Sequence, residues 1–166
     1  MLKKAKGLLI LFVCISAMFT VMQITAFAEG NAASVTFGES TEYYATIDAA
    51  WEAAVALDTT AENKATIKLL DNCTAENTLT NTEDYLVLDT NGKTLTTPDA
   101  IAQTNDVLCG IGSEGGSLEI TGNGTITGLS SGSFARAIIL ITGGEVYANG
   151  VTVHNTGKTG SISVLV

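Results

Sequence analysis

The chain has 166 residues, with 17 acidic against 8 basic side chains, and its formal net charge of −9 disfavours nucleic acid and anionic membrane surfaces as partners. Three of the bases lie in the first six residues, so the chain from residue 29 onward carries five bases against 17 acids, a net of −12. Those 138 residues hold 22 Thr, 16 Gly and one Pro (Pro98), a palette for short strands joined by tight turns and enough chain for one domain with a core.

Residues 1–28 have the three-part layout of a secretory signal peptide. Lys3, Lys4 and Lys6 form the basic region, Leu8 to Met22 is an uncharged apolar run, and Ala26-Phe27-Ala28 is an A-x-A cleavage site before Glu29. An uncleaved anchor is the alternative, because Gly7 to Ala28 is just long enough to cross a bilayer, although Gln23 and Thr25 weaken its end. A lipoprotein reading through Cys14 fits poorly, since Val13 stands where a small residue is needed. The expectation is a secreted or cell-surface protein that meets a membrane only through an uncleaved leader.

Residues 29–42 are small and polar and read as a lead-in. Thr46 to Asp58 is alanine-rich, with Ile47, Trp51, Ala54 and Val55 on one face, so it predicts a short helix capped by Thr46. Trp51 sits on that apolar stripe and reads as a core anchor. Strands are expected at 65–70, 78–80, 85–89, 94–96, 116–121, 125–127, 137–141, 145–147 and 151–153. The last piece, Ser161 to Val166, stops in mid-pattern, so the domain is expected to be truncated there.

A unit recurs: a short strand, Asn-Gly, a short strand and a polar loop. Its corners are Asn91-Gly92, Asn123-Gly124 and Asn149-Gly150, with a degenerate copy at Asn72. Asn-Gly is also the best short signal for a two-residue hairpin, so a meander or sandwich is the rival architecture. The flanking strands are too short for a sandwich, and the unit repeats, which favours stacked coils. The helix at 46–58 is then placed to cover the first coil.

Cys73 and Cys109 remain after the leader, either as one disulfide or as two unpaired thiols. Asn72-Cys73-Thr74 and Asn123-Gly124-Thr125 fit the weak N-glycosylation pattern.

The runs YYATIDAAWEAA (43–54), ATIKLLDN (65–72), LVLDTNGKTLT (86–96) and GGSLEITGNGTITG (115–128) resemble the N-terminal part of secreted bacterial surface proteins with a pectate-lyase-like fold. The resemblance covers about residues 43–157. It implies an all-β architecture, a right-handed parallel β-helix (a solenoid) with a short N-terminal capping helix, over 43–166. That class holds polysaccharide lyases and glycoside hydrolases, and also many adhesin-like proteins without known activity. The N-T-D, D-D and G-H-G signatures of its pectin hydrolases are missing here. Asp89-Thr90-Asn91 has the reversed order and reads as a turn.

Candidate carboxylates for glycoside chemistry are Glu83, Asp84, Asp89, Asp99, Asp106, Glu114, Glu119 and Glu145. Glu119 and Glu145 occupy comparable positions in their units and are expected to stack, where a hard cation such as Ca²⁺ would suit them; the simpler reading leaves both facing solvent. Arg136, the single Arg, is expected in a surface ion pair and not as a lyase base. His154, the single His, lacks a second His nearby for a metal site. Gly122-Asn123-Gly124 and Gly143-Gly144 read as turns and not as a phosphate loop. The sequence therefore assigns no catalytic, cofactor-binding or metal residue. It supports a non-catalytic extracellular module for a polysaccharide or a host or cell-surface ligand, with a fragment of a β-helix lyase or hydrolase as the alternative. It assigns no oligomeric state.

Overall fold

The computed structural model describes residues 30–101, 107–131, 136–157 and 163–166. The expected leader 1–28, Asp106 and the start of the terminal strand at Ser161 lie outside the described residues. The described fold is mainly β, with one short helix and largely parallel sheets. Its strands are β1 (Ala33–Phe37), β2 (Ser40–Tyr44), β3 (Ala65–Leu69), β4 (Cys73–Thr74), β5 (Leu79–Asn81), β6 (Tyr85–Asp89), β7 (Thr94–Thr96), β8 (Ala100–Ile101), β9 (Cys109–Thr121), β10 (Thr125–Gly128), β11 (Ser130–Ser131), β12 (Ala137–Ala148), β13 (Thr152–Asn155) and β14 (Val164–Leu165).

The lead-in forms structure of its own, which corrects the expectation for residues 29–42. Gly38, at φ 59, turns β1 into β2, and β1 then pairs antiparallel with β3 as well. Alternation in Ala33-Ser34-Val35 is short and weak, so the local pattern carries little signal. The helix α1 (Ile47–Val55) follows at once. Thr46 Oγ1 accepts a hydrogen bond from the Ala49 amide at 3.2 Å, the N-cap expected of it. Ile47, Ala50, Trp51 and Ala54 face inward at helical spacing and pack on β1, β2, β3 and β5. The Trp51 indole N–H donates to the Thr80 carbonyl at 2.9 Å, so its ring is both buried and hydrogen-bonded.

From β3 onward every strand pairing is parallel. The largest sheet has the order β14-β12-β9-β6-β3-β1-β2, with β5 also on β9; a second sheet runs β13-β10-β7-β4, and β8 pairs with β11. Register lines up the apolar positions in rows. Ala65, Leu86 and Leu118 form one fully buried row, and Ile67, Leu88 and Ile120 form another. Leu95 and Ile126 are buried from the second sheet, and Leu79, Ile111 and Ile139 from β5, β9 and β12. Each large side chain removed from water in these rows contributes about 1.5–3 kcal/mol.

The Asn-Gly corners are not hairpins. Asn91 (φ 49) and Gly92 (φ 71) have the positive torsions of a type I′ turn. Yet β6 and β7, on either side, do not pair with each other. The first lies between β3 and β9, the second between β4 and β10. The corner is tied to its neighbours in the stack instead. Asn91 Nδ2 donates to the Leu69 carbonyl at 3.0 Å, and the Gly92 amide donates to the Gly122 carbonyl. Thr90, fully buried, donates to the Thr121 carbonyl and accepts from the Gly124 amide at 2.9 Å.

Strands β9 and β12 are longer than expected, because each runs through a glycine pair. Gly115-Gly116 and Gly143-Gly144 bend them in nearly the same register, with shifts at Ile141/Gly143 and Gly143/Glu145. The expected strands at 137–141 and 145–147 are therefore two arms of one bent strand, as 109–114 and 117–121 are of β9. A Cβ at Gly115 would strike the Thr82 carbonyl, and one at Gly143 the Glu114 carbonyl, so the backbones approach too closely for any side chain.

Candidate functional site

Strand alternation decides which side chains reach the outside of the largest sheet. With Leu86, Leu88, Leu118 and Ile120 inward, the next positions point away from the core. Thr66, Val87, Glu119 and Tyr147 form one outward row, Tyr85, Ser117 and Glu145 a second, and Lys68, Asp89 and Thr121 a third. This face carries the densest set of aromatic and charged groups that the pairing assembles.

Tyr147 is its most prominent member, 55% exposed. Its hydroxyl donates to Glu145 Oε2 at 2.8 Å, and that bond, with the negative charge behind it, pushes the phenol above its ordinary pKa. Lys64, just before β3, reaches across to pair with Glu119 Oε1. Both side chains are about one-third exposed, so the pair fixes geometry more than it adds stability. Lys68 lies 3.8 Å from Asp89 in the third row. The result is a ring edge flanked by two carboxylates and one ammonium.

Glu119 and Glu145 share this face but do not stack. Glu119 is opposite Tyr147, while Glu145 is opposite Ser117. The glycine bend shifts the register of β12, which a count along the sequence does not reveal. Among the described residues no group of three or more His, Cys, Asp or Glu is placed to hold a metal ion.

The other candidates are dispersed. Asp89 Oδ1 accepts from the Asn91 amide at 2.8 Å, the turn role expected of it. Asp84 sits at the entry to β6, where burial, then the neighbouring Glu83, pushes its carboxyl up. Asp99 is exposed before β8. Glu114 is exposed beside a groove of about 550 Å³ that Thr78, Thr80, Ser113, Leu140 and Thr142 also line. His154 is exposed on β13. Arg136 is not at the surface as expected: it is 9% exposed and donates through Nη1 to the Val107 carbonyl. Its burial follows from its place directly before the fully apolar arm of β12.

Cys73 and Cys109 are separate thiols, the first half-buried and the second buried. Desolvation pushes both up to about 11, helped at Cys73 by Asp71 and Asp48 and at Cys109 by Glu114. A folded pKa above the unfolded one means that the folded state keeps protons the unfolded chain releases. Their contribution is whole below the ordinary thiol value and is lost as the pH rises from about 9 to about 11. Urea midpoints are therefore expected to fall over that window, and the Cys73→Ser, Cys109→Ser double variant to flatten the fall. An equal fall in the variant would assign the effect to other groups.

Two members of the face, Tyr147 and Lys64, do not stand out in the sequence. Tyr147 was within reach of pattern reading, because it lies two residues from Glu145 in a strand. Lys64 was not, because its partner is 55 residues away.

Comparison of the chain with protein-family models, with curated proteins and with solved structures found no match. No helix among the described residues is long and apolar enough to cross a membrane.

Proposed function

We propose that this chain is a non-catalytic extracellular or cell-surface module that holds a polysaccharide against the outer face of its largest sheet. The observation that carries the reading is the exposed Tyr147 ring, set between Glu145, Glu119 and Lys64 on a continuous parallel sheet. An aromatic ring offers a flat apolar surface to the C–H face of a sugar, and the flanking carboxylates and ammonium can hydrogen-bond its hydroxyls. A net charge of −12 after the leader disfavours polyuronates, so a neutral or amino-sugar polymer fits best. Export rests on the leader 1–28.

The scaffold in this reading is a right-handed parallel β-helix with α1 over its N-terminal end. The pairing order supports it. β3, β6 and the second arms of β9 and β12 share one face; β4, β7, β10 and β13 share another. β5, the first arms of β9 and β12, and β14 share a third. The chain visits these faces in the same sequence each time, as stacked coils would.

Retention on insoluble chitin or cellulose, with little on polygalacturonate, is the expected result. Tyr147→Ala is expected to weaken retention by about tenfold, the equivalent of ~1.4 kcal/mol. No retention on any polymer, or an unchanged Tyr147→Ala, refutes the reading. A second reading, a carbohydrate-active enzyme, draws on the two carboxylates of the same face. Release of reducing ends that disappears in Glu119→Gln or Glu145→Gln would establish it instead.

A further inference from the structure

The two ends of the sheet stack are finished differently. At one end the β1–β2 hairpin and α1 cover β3, and the turn and edge strand carry Glu39 and Glu42. At the other end the core is open. Leu118, Ile120 and Ile126 are fully buried, but their register partners one strand further on are not. Val146 and Val153 are half-buried, Ala148 is exposed, and Val151 and Ile141 are half-buried beside them. Among the described residues, β13 pairs only with β10, and the second arm of β12 pairs only with β9. β14 covers Ile139 and Leu140 alone. Both an apolar surface and a free strand edge are therefore presented together, the combination that drives strand-to-strand association.

We infer that this end is the docking surface for a second copy of the chain, joined about a two-fold axis through β13. Charge selects the occupant. The chain is strongly acidic, so two copies repel over most of their surface. Residues 136–157 carry a single acid, Glu145, and β13 carries none. The opposite end is occupied by the hairpin and helix, which blocks head-to-tail stacking. The same end must then meet itself, giving a closed dimer and not a filament.

Alternation fixes the register. Residues directly opposite in an antiparallel pair point to the same side of the sheet. An axis through Val153 sets the two Val153 side chains against each other and Thr152 against His154 of the other copy. An axis through His154 would oppose Val153 to Asn155 and bring two imidazoles together, so the apolar match favours Val153. The second sheet then runs on through both copies, and its inward valines become core.

The test uses the chain recovered after export from its own leader. Sedimentation at about 100 μM, where even a modest interface is filled, is expected to give a dimer. Val153→Lys is expected to raise the dissociation constant at least about hundredfold, because it places two uncompensated ammonium groups in the interface. Val153→Cys, with Cys73 and Cys109 replaced by Ser, is expected to give a disulfide-linked dimer on oxidation, since opposed Cα atoms about 4.5–5.5 Å apart suit that bond. A monomer for the unaltered chain, an assembly larger than a dimer, or a Val153→Cys variant that does not cross-link overturns the proposal.

Discussion

Gly116→Ala is expected to destabilise the fold by about 3 kcal/mol, the sum of a left-handed backbone and an overpacked corner. Gly116 has φ +61, and a Cβ there would lie well inside contact of the Asp84 carbonyl oxygen and the Glu83 carbonyl carbon. Neither atom belongs to a flexible side chain. Both are held, because the Asp84 carbonyl accepts from the Ser117 amide at 2.9 Å and from Asn81 Nδ2 at 3.1 Å. Gly92→Ala is the control. It shares the positive φ, at +71, but a Cβ there meets nothing within 4 Å, so only the backbone cost of about 1–2 kcal/mol applies. Urea unfolding of the two variants separates the terms. Equal losses would mean that the glycine bend yields to a methyl group, and the close approach would lose its explanatory role.

Trp51→Ala is expected to cost about 4 kcal/mol, near the top of the range for large-to-small core changes. The ring is 3% exposed and joins α1 to the sheets through both packing and the hydrogen bond to Thr80. Trp51→Phe keeps most of the packing but leaves the Thr80 carbonyl without this donor, so about 1–3 kcal/mol is expected. Circular dichroism is the appropriate readout, because Trp51 is the sole tryptophan. If the alanine variant melted within a degree or two of the parent, α1 would be an appendage and not a cover for the first strands.

How much of this could be read from the sequence depended on the distance over which each feature is determined. The helix was legible because its N-cap, its alanines and its apolar spacing all lie within ten residues. β6 and β7 were legible because alternation and the Asn-Gly corner between them are local. β1 and β2 were not, because they owe their pairing to β3 some 30 residues on and to the helix that covers them. The two-residue strands β4, β8 and β11 are shorter than any pattern can resolve. The site was partly legible for a related reason. Glu119 and Glu145 were singled out by their similar local settings, but whether they meet depends on a register shift at Gly143 that only the neighbouring backbone imposes. Arg136 reads as a surface residue by type, and the carbonyl that accepts from it belongs to another pass of the chain.

The Asn-Gly corners have a further consequence for how the molecule acquires order. Because no corner folds back into a hairpin, a strand never pairs with its immediate successor. Each from β3 on finds its partner about 20 to 30 residues away, one pass earlier or later. A single pass has nothing to hold its shape until its predecessor is in place. Order should therefore advance as a front from the helix-covered end, and hydrogen exchange should run as a gradient, slowest at Ile67 and Leu88 and fastest at Val146 and Val153.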